Sequence, residues 1–315
     1  MKATPRAIGR YEVVDRMHSG TAAELFRVRE VGDPTGTLYC LKRIPPSVGG
    51  SVGFALRFDE EMGLWETKLE HRNIVSVRDY GEDEGHYYVM EYVDGVDLGG
   101  ALREGPLEPA LVTYLGIELC RAFVFMHHGD PSRGRHKPVI HSDVTPDNIL
   151  LGRDGAVKLS DFGLAKALGR TGADTITRAR GKVRWMAPEQ FGGDDDGDVT
   201  LNARTDLFAL GLVLWFALIG SHPYAEGRAR QRPRPALDAW IRERTLANER
   251  RSVAEAAPRA PAVLQGVIEG LLQPMERRTA VAEEPLERLL SIEELDAHDR
   301  LAARVQRCAA SGAPA

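Results

Sequence analysis

The chain has 315 residues, 43% of them apolar and 28% charged, with a formal net charge of -5. That length accommodates one large core or two moderate ones, its longest apolar run, Leu207 to Ile219, falls short of the roughly 20 residues that cross a bilayer, and the N-terminus MKATPRAIGR lacks the apolar segment of a secretion signal. The acidic balance gives no footing for nucleic acid or membrane as a partner, and the scattered Cys40, Cys120 and Cys308 argue against a disulfide framework or thiolate metal site and for a reducing cytoplasm.

Taken in order, residues 11–44 alternate apolar and polar positions in Tyr11-Glu12-Val13-Val14, Leu25-Phe26-Arg27-Val28 and Leu38-Tyr39-Cys40-Leu41-Lys42. The pattern predicts three antiparallel strands and turns Lys42 inward, to the side of Cys40 and Ile44. From Phe54 to Leu69 the stripe Phe54, Phe58, Met62, Trp65, Leu69 predicts a helix with Glu61 on its inward side. Strands follow at Ile74 to Tyr80 and Tyr87 to Met90. A helix is expected over Ala110 to His128, then a basic exposed loop over Gly129 to Lys137. Further on stand a segment rich in Gly, Thr and Arg (165–180), a polar loop (192–198) without calcium-loop spacing, the apolar helix at Leu207 to Ile219, helices and loops over 228–260, and one or two amphipathic helices over 283–307.

The chemistry concentrates in Val139 to Leu164, VIHSDVTPDNILLGRDGAVKLSDFGL. Strands at Ile149 to Leu151 and Val157 to Leu159, joined by the turn Gly152-Arg153-Asp154-Gly155, bring two acidic loops to one edge. Asn148 and Asp161 there supply oxygen ligands for a hard divalent cation, and Asp143 a carboxylate able to orient a nucleophile. This string resembles the catalytic loop H-R-D-L-x-x-x-N and the D-F-G of the protein kinases, here His141-Ser142-Asp143-Val144-Thr145-Pro146-Asp147-Asn148 and Asp161-Phe162-Gly163. Gly181 to Glu189, ending Ala187-Pro188-Glu189, resembles the end of the family's activation segment. In overall style the chain resembles the eukaryotic-type serine/threonine kinases of bacteria.

The resemblance covers residues 8–282 and implies an α+β, two-lobed fold: a small antiparallel β-sheet lobe with one long helix, and a mainly helical lobe. The expected division is a lead-in at 1–10, a small lobe at 11–92, a large lobe at 93–282, and a helical extension and tail at 283–315. It also implies site roles. Lys42, fixed by Glu61 (with Glu60 as runner-up), holds the α and β phosphates of ATP; Asp143 accepts or orients the substrate hydroxyl; Asn148 and Asp161 hold Mg2+. Gly20 belongs to the first turn, Met90 flanks the adenine, backbone groups of Glu91 and Val93 meet its edge, and Asp97 reaches the ribose. Asp206 bonds backbone near His141, and Arg277 pairs with Glu189. The implied partner is a protein substrate; as the sequence shows no sensory or membrane domain, the signal is expected from a separate regulatory protein.

The sequence departs from the family in places. The glycine-rich turn is reduced to His18-Ser19-Gly20-Thr21-Ala22-Ala23. Ser142 replaces the arginine that grips a phosphorylated activation loop, so Thr175 and Thr177 are not expected to switch activity. Thr145 stands where a lysine is usual and Lys182 where a threonine is usual, which suggests an exchange, Lys182 restoring the missing charge from the opposite side. Asp147 is suited to basic peptides. Val183-Arg184-Trp185-Met186 looks like the turn of tyrosine kinases, but Asp143-Val144-Thr145-Pro146 favours serine/threonine. The leading reading is an active protein kinase. The alternative is a pseudokinase serving as a nucleotide-sensing or scaffolding module, and a small-molecule kinase of related fold comes third, because Glu189, Asp206 and Arg277 belong to the protein-kinase pattern.

Overall fold

Strands β1 (Ala7–Ile8), β2 (Tyr11–Ser19), β3 (Glu24–Glu30), β4 (Tyr39–Ile44), β5 (Val77–Glu82) and β6 (His86–Glu91) pair antiparallel in the order β1-β2-β3-β4-β6-β5. The computed structural model describes residues 5–19, 23–46, 69–129, 138–161, 182–192, 201–225, 233–292 and 296–310; the helix expected over Phe54 to Leu69 lies almost wholly outside them. Period-two alternation gives the sheet two apolar faces. Phe26, Val28, Leu41, Tyr87 and Val89 pack on one, with Ile8 and Tyr11. Cys40, Ile44, Tyr88 and Met90 pack on the other with Val75, and Leu150 of the large lobe packs against this second group.

Strand β7 (Gly95–Asp97) crosses into the large lobe and pairs with β8 (Ile149–Gly152), which pairs with β9 (Val157–Leu159). Gly155 closes the β8–β9 turn at φ +85°, where a side chain would be strained and would meet His298. The register Ile149↔Leu159 carries on one step, the Ser160 amide donating to the Asn148 carbonyl at 2.9 Å. Asn148 and Asp161 are thereby set side by side at the open end of the hairpin.

The helices are α1 (Leu98–Ala101), α2 (Pro109–His128), α3 (Ala203–Ile219), α4 (Arg234–Ala247), α5 (Val253–Ala256), α6 (Ala262–Leu271), α7 (Glu283–Leu290) and α8 (Ala297–Ala310). Helix α2 begins with proline at a position that needs no amide and buries Leu111, Leu115, Leu119 and Phe123 at four-residue spacing. It is the one described helix long and apolar enough to cross a bilayer, and most of it is buried inside the lobe. Helix α3 is apolar all round because it runs through the centre. Asn202 caps it by accepting from the Arg204 amide at 2.9 Å, and Gly220, at φ +74°, ends it. Gly211 lets α3 approach α6, since a Cβ there would sit 2.9 Å from Leu271 and 3.0 Å from Leu272. Two helices occupy the stretch expected to hold one or two, and Leu289, Leu301, Val305 and Cys308 join the same core. The architecture is the α+β, two-lobed one expected from the sequence.

Candidate active site

Pairing between β4 and β6 sets Lys42 opposite Tyr88, with both side chains on the cleft face of the sheet. Lys42 Nζ donates to Asp161 Oδ1 at 2.7 Å, and Tyr88 Oη donates to the same oxygen at 2.8 Å. Asp161 itself follows the end of β9 in the left-handed region, at φ +61°, an uncommon setting for a residue with a side chain. The partners expected for Lys42, Glu61 and Glu60, lie outside the described residues, as do Gly20, Phe162, Gly163, Thr175 and Thr177. Lys182 opens a 3-10 turn, Lys182–Trp185, but its side chain is outside the described set.

The loop from His141 to Asn148 is held from below. Asp206, buried in the first turn of α3, accepts from the His141 amide at 2.8 Å and the Ser142 amide at 2.7 Å, and His127 Nε2 meets it at 2.9 Å. His141 Nε2 faces the Ser160 carbonyl at 2.9 Å and Nδ1 faces the Asp143 amide at 3.2 Å, which together set the ring proton on Nε2. Ser142, also at φ +61°, bonds through Oγ to the His141 carbonyl at 2.6 Å. Asn148 Nδ2 donates to the Asp143 carbonyl at 2.8 Å and to Asp143 Oδ2 at 3.2 Å. With its NH2 committed there, the amide oxygen of Asn148 points away from Asp143. Lys42, Asp161, Asn148 and Asp143 thus form one connected edge, through Tyr88 on one side and Ser160 on the other. Thr145, buried, contributes its carbonyl, which accepts from the Asn148 amide at 3.0 Å.

Among the described residues no group of three or more His, Cys, Asp and Glu could form a closed metal cage. One amide oxygen and one carboxylate at an open edge fit Mg2+, which keeps few protein ligands and shares the rest with water and substrate phosphates. Where the lobes join, Met90 is buried in the cleft cluster, with Val93 partly buried against it. The Glu91 amide donates to the Ser76 carbonyl at 2.9 Å and is thus taken up within the sheet; its carboxylate accepts from Lys158 Nζ at 2.9 and 3.0 Å. Asp97 accepts from the Gly100 amide at 2.6 Å and caps α1. Burial raises the Asp97 carboxyl above the usual range; the Gly100 bond opposes this and the nearby Asp147 adds to it.

The buried partner of Glu189 is Arg278, not Arg277 as the sequence suggested. Arg278 Nη1 lies 2.8 Å from Glu189 Oε1 and from the Arg204 carbonyl, and its guanidinium stacks 4.5 Å from the Phe208 ring. A turn in which the Pro274 carbonyl accepts from the amides of both arginines at 3.0 and 2.9 Å sends Arg278 inward and leaves Arg277 exposed. Two further residues went unread in the sequence. Gln190 bridges the Ala187 amide (2.8 Å) and the Ser142 carbonyl (3.0 Å), tying the Ala187-Pro188-Glu189 turn to the loop; no spacing rule marks it. Tyr88 shares a strand face with Met90 by period two, and that signal alone would have placed it in the cleft.

The protein kinase domain model matches residues 11–290, and the chain belongs to the protein kinase family. It is 32% identical over 269 residues to the tyrosine-protein kinase MasK of Myxococcus xanthus, covering 82% of this chain and 39% of that protein. It is 31% identical over 306 residues to the serine/threonine-protein kinase PknB of Mycolicibacterium smegmatis, covering 94% of this chain and 45% of that protein. The chain therefore spans less than half the length of these relatives. The crystal structure of the Mycobacterium tuberculosis PknI kinase domain superposes over 92% of this chain and 99% of that chain with a TM-score of 0.62, at 23% identity, a likeness of fold.

Proposed function

We propose that the chain is an ATP-dependent protein kinase that transfers the γ-phosphate of Mg-ATP to serine or threonine hydroxyls of protein substrates. The observation that carries this is the continuous edge Lys42, Asp161, Asn148, Asp143. Lys42 draws in the α and β phosphates, as a cation already aimed into the cleft. Asp143, steadied by Asn148 and by the His141 ring, orients the acceptor hydroxyl and takes its proton as the new P–O bond forms and ADP leaves. Asn148 Oδ1 and the Asp161 carboxylate hold Mg2+; neutralisation of charge on the β and γ phosphates is what that ion supplies when bound. Catalysis of this kind is mainly positioning and electrostatics, which suits a loop anchored from His141 to Asn148 by buried groups.

Met90 and Val93 line the adenine slot, the Glu91 carbonyl accepts from the adenine amine, and Asp97 stands beside the ribose while also capping α1. The family pattern assigns the phosphate turn to Gly20, the partner of Lys42 to Glu61 and the positive charge near the γ-phosphate to Lys182 with Thr145, and these roles are part of the proposal. Domain limits are taken as 11–92 and 93–282 for the lobes. The setting is the cytoplasm, a reducing compartment that suits the scattered Cys40, Cys120 and Cys308. Serine/threonine is preferred over tyrosine on Asp143-Val144-Thr145-Pro146; of the two relatives named above, one is a tyrosine and one a serine/threonine kinase.

Labelled phosphate transfer from Mg-ATP to the chain itself and to a basic protein, beside Asp143→Asn, tests this reading. Label on serine or threonine that falls at least about 100-fold in the variant supports it. Label on tyrosine corrects the acceptor. Equal silence in both, with no Mg-ATP binding, shows a pseudokinase.

A further inference from the structure

We propose that Tyr88 is a positioning residue for Asp161, an uncharged second anchor that keeps this carboxylate in place for Mg2+ when Lys42 turns to the nucleotide phosphates. The inference rests on the kinase reading and deepens it. Tyr88 is 3% exposed and packs among Cys40, Ile44, Val75 and Met90. A phenol hydroxyl in such surroundings is costly unless it is bonded, and here it donates to Asp161 Oδ1 at 2.8 Å. The same oxygen accepts from Lys42 at 2.7 Å, and the Lys42 ammonium also lies 5.9 Å from the centre of the Tyr88 ring. The strand register Lys42↔Tyr88 builds this triangle into the sheet.

Its purpose follows from the competition for Lys42. A lysine that holds α and β phosphates must share or release a carboxylate to which it is also bonded, as Lys42 is to Asp161. Asp161 sits at φ +61°, where backbone preference alone does not secure it. Tyr88 has no charge to offer a phosphate and stays fixed by its apolar neighbours, so its hydroxyl retains Oδ1. Fixing one oxygen fixes the plane of the carboxylate and the direction of the other oxygen, which lowers the cost of capturing the ion.

The test is calorimetric titration of the full chain with a non-hydrolysable ATP analogue across a range of MgCl2 and in EDTA, for wild type, Tyr88→Phe, Asp161→Asn and the double variant. Tyr88→Phe should raise the Mg2+ concentration at half effect about tenfold, the order expected for a hydrogen bond to a charged group, with affinity in EDTA unchanged. In the Asp161→Asn background it should add nothing. Tyr88→Leu, which also loses the ring, should show the same shift if the hydroxyl is responsible. A Tyr88→Phe chain with wild-type Mg2+ dependence, or an effect undiminished without Asp161, overturns the proposal and leaves the kinase reading standing. A wild-type chain that gains no affinity from Mg2+ defeats both.

Discussion

Arg278 shows how a single side chain is settled by its immediate surroundings. Its guanidinium is fully buried against Glu189 and the Phe208 ring, and removing one member of a buried pair leaves the other charge uncompensated. Arg278→Ala is predicted to lower stability by about 3–5 kcal/mol in urea denaturation, while Arg277→Ala stays within about 0.5 kcal/mol. The reverse ranking would show that the turn at Pro274 is wrongly understood. At this scale the sequence was informative where a residue's neighbours in the chain dictate its direction. Lys42 was readable as inward because Cys40 and Ile44 flank it at period two. The choice between Arg277 and Arg278 was not, because both fit the spacing and a backbone turn decides between them. Tyr88 was within reach of the same period-two rule, but its bond to Asp161 depends on a residue 73 positions away.

Between elements, contacts hold the catalytic loop and the turn at Lys182–Trp185 against the helical lobe. Asp206 at the start of α3 holds the loop, and His222 just after α3 holds the turn. His222 Nε2 donates to the Arg184 carbonyl at 2.6 Å, while Nδ1 accepts from the Tyr224 amide at 3.3 Å. Both ring nitrogens are thus served in the neutral form, and a second ring proton would have to displace the Tyr224 amide. Burial depresses the His222 pKa to about 4, against a weaker raising effect from the Arg184 carbonyl. Because the unfolded chain takes up this proton near pH 6.5 and the folded chain only near 4, the stability contributed by His222 is intact above pH 6.5 and falls as pH drops through that window, by up to about 3 kcal/mol. Urea denaturation of wild type and His222→Asn at pH 7 and pH 5 checks this: the wild type should lose more than the variant. Equal losses would show that the ring does not stay neutral in the fold.

For the whole molecule, the core runs past the end of the matched kinase domain at residue 290. Ala297, Leu301, Val305 and Cys308 of α8 are buried in the large-lobe core, and Arg304 donates to the carbonyls of Ala101 and Gly105 at 3.0 and 2.7 Å, just beyond the crossing between lobes. A chain ended at Ile292 is predicted to lose more than about 3 kcal/mol, the loss being read by denaturation, because several large apolar contacts vanish at once. Unchanged stability would make α8 an appendage. The individual strands and helices were legible because their periods are local, and the two-lobed arrangement came with the family resemblance carried by the hairpin motif. That amphipathic helices over 283–307 close the domain was legible too, but not which core residues α8 covers, since an amphipathic helix shows that it has an apolar face and not what that face meets.

If Lys42, Asp143, Asn148 and Asp161 act as one phosphoryl-transfer site, as proposed, the single-turnover rate of phosphate transfer from Mg-ATP will show it in wild type, Asp143→Asn, Asp161→Asn and the double variant. A loss of at least about 100-fold is predicted in each single variant, with the double variant little worse than the poorer single one, as groups acting together are not additive. Transfer at the wild-type rate in Asp143→Asn, or losses that simply multiply, would contradict a single shared site.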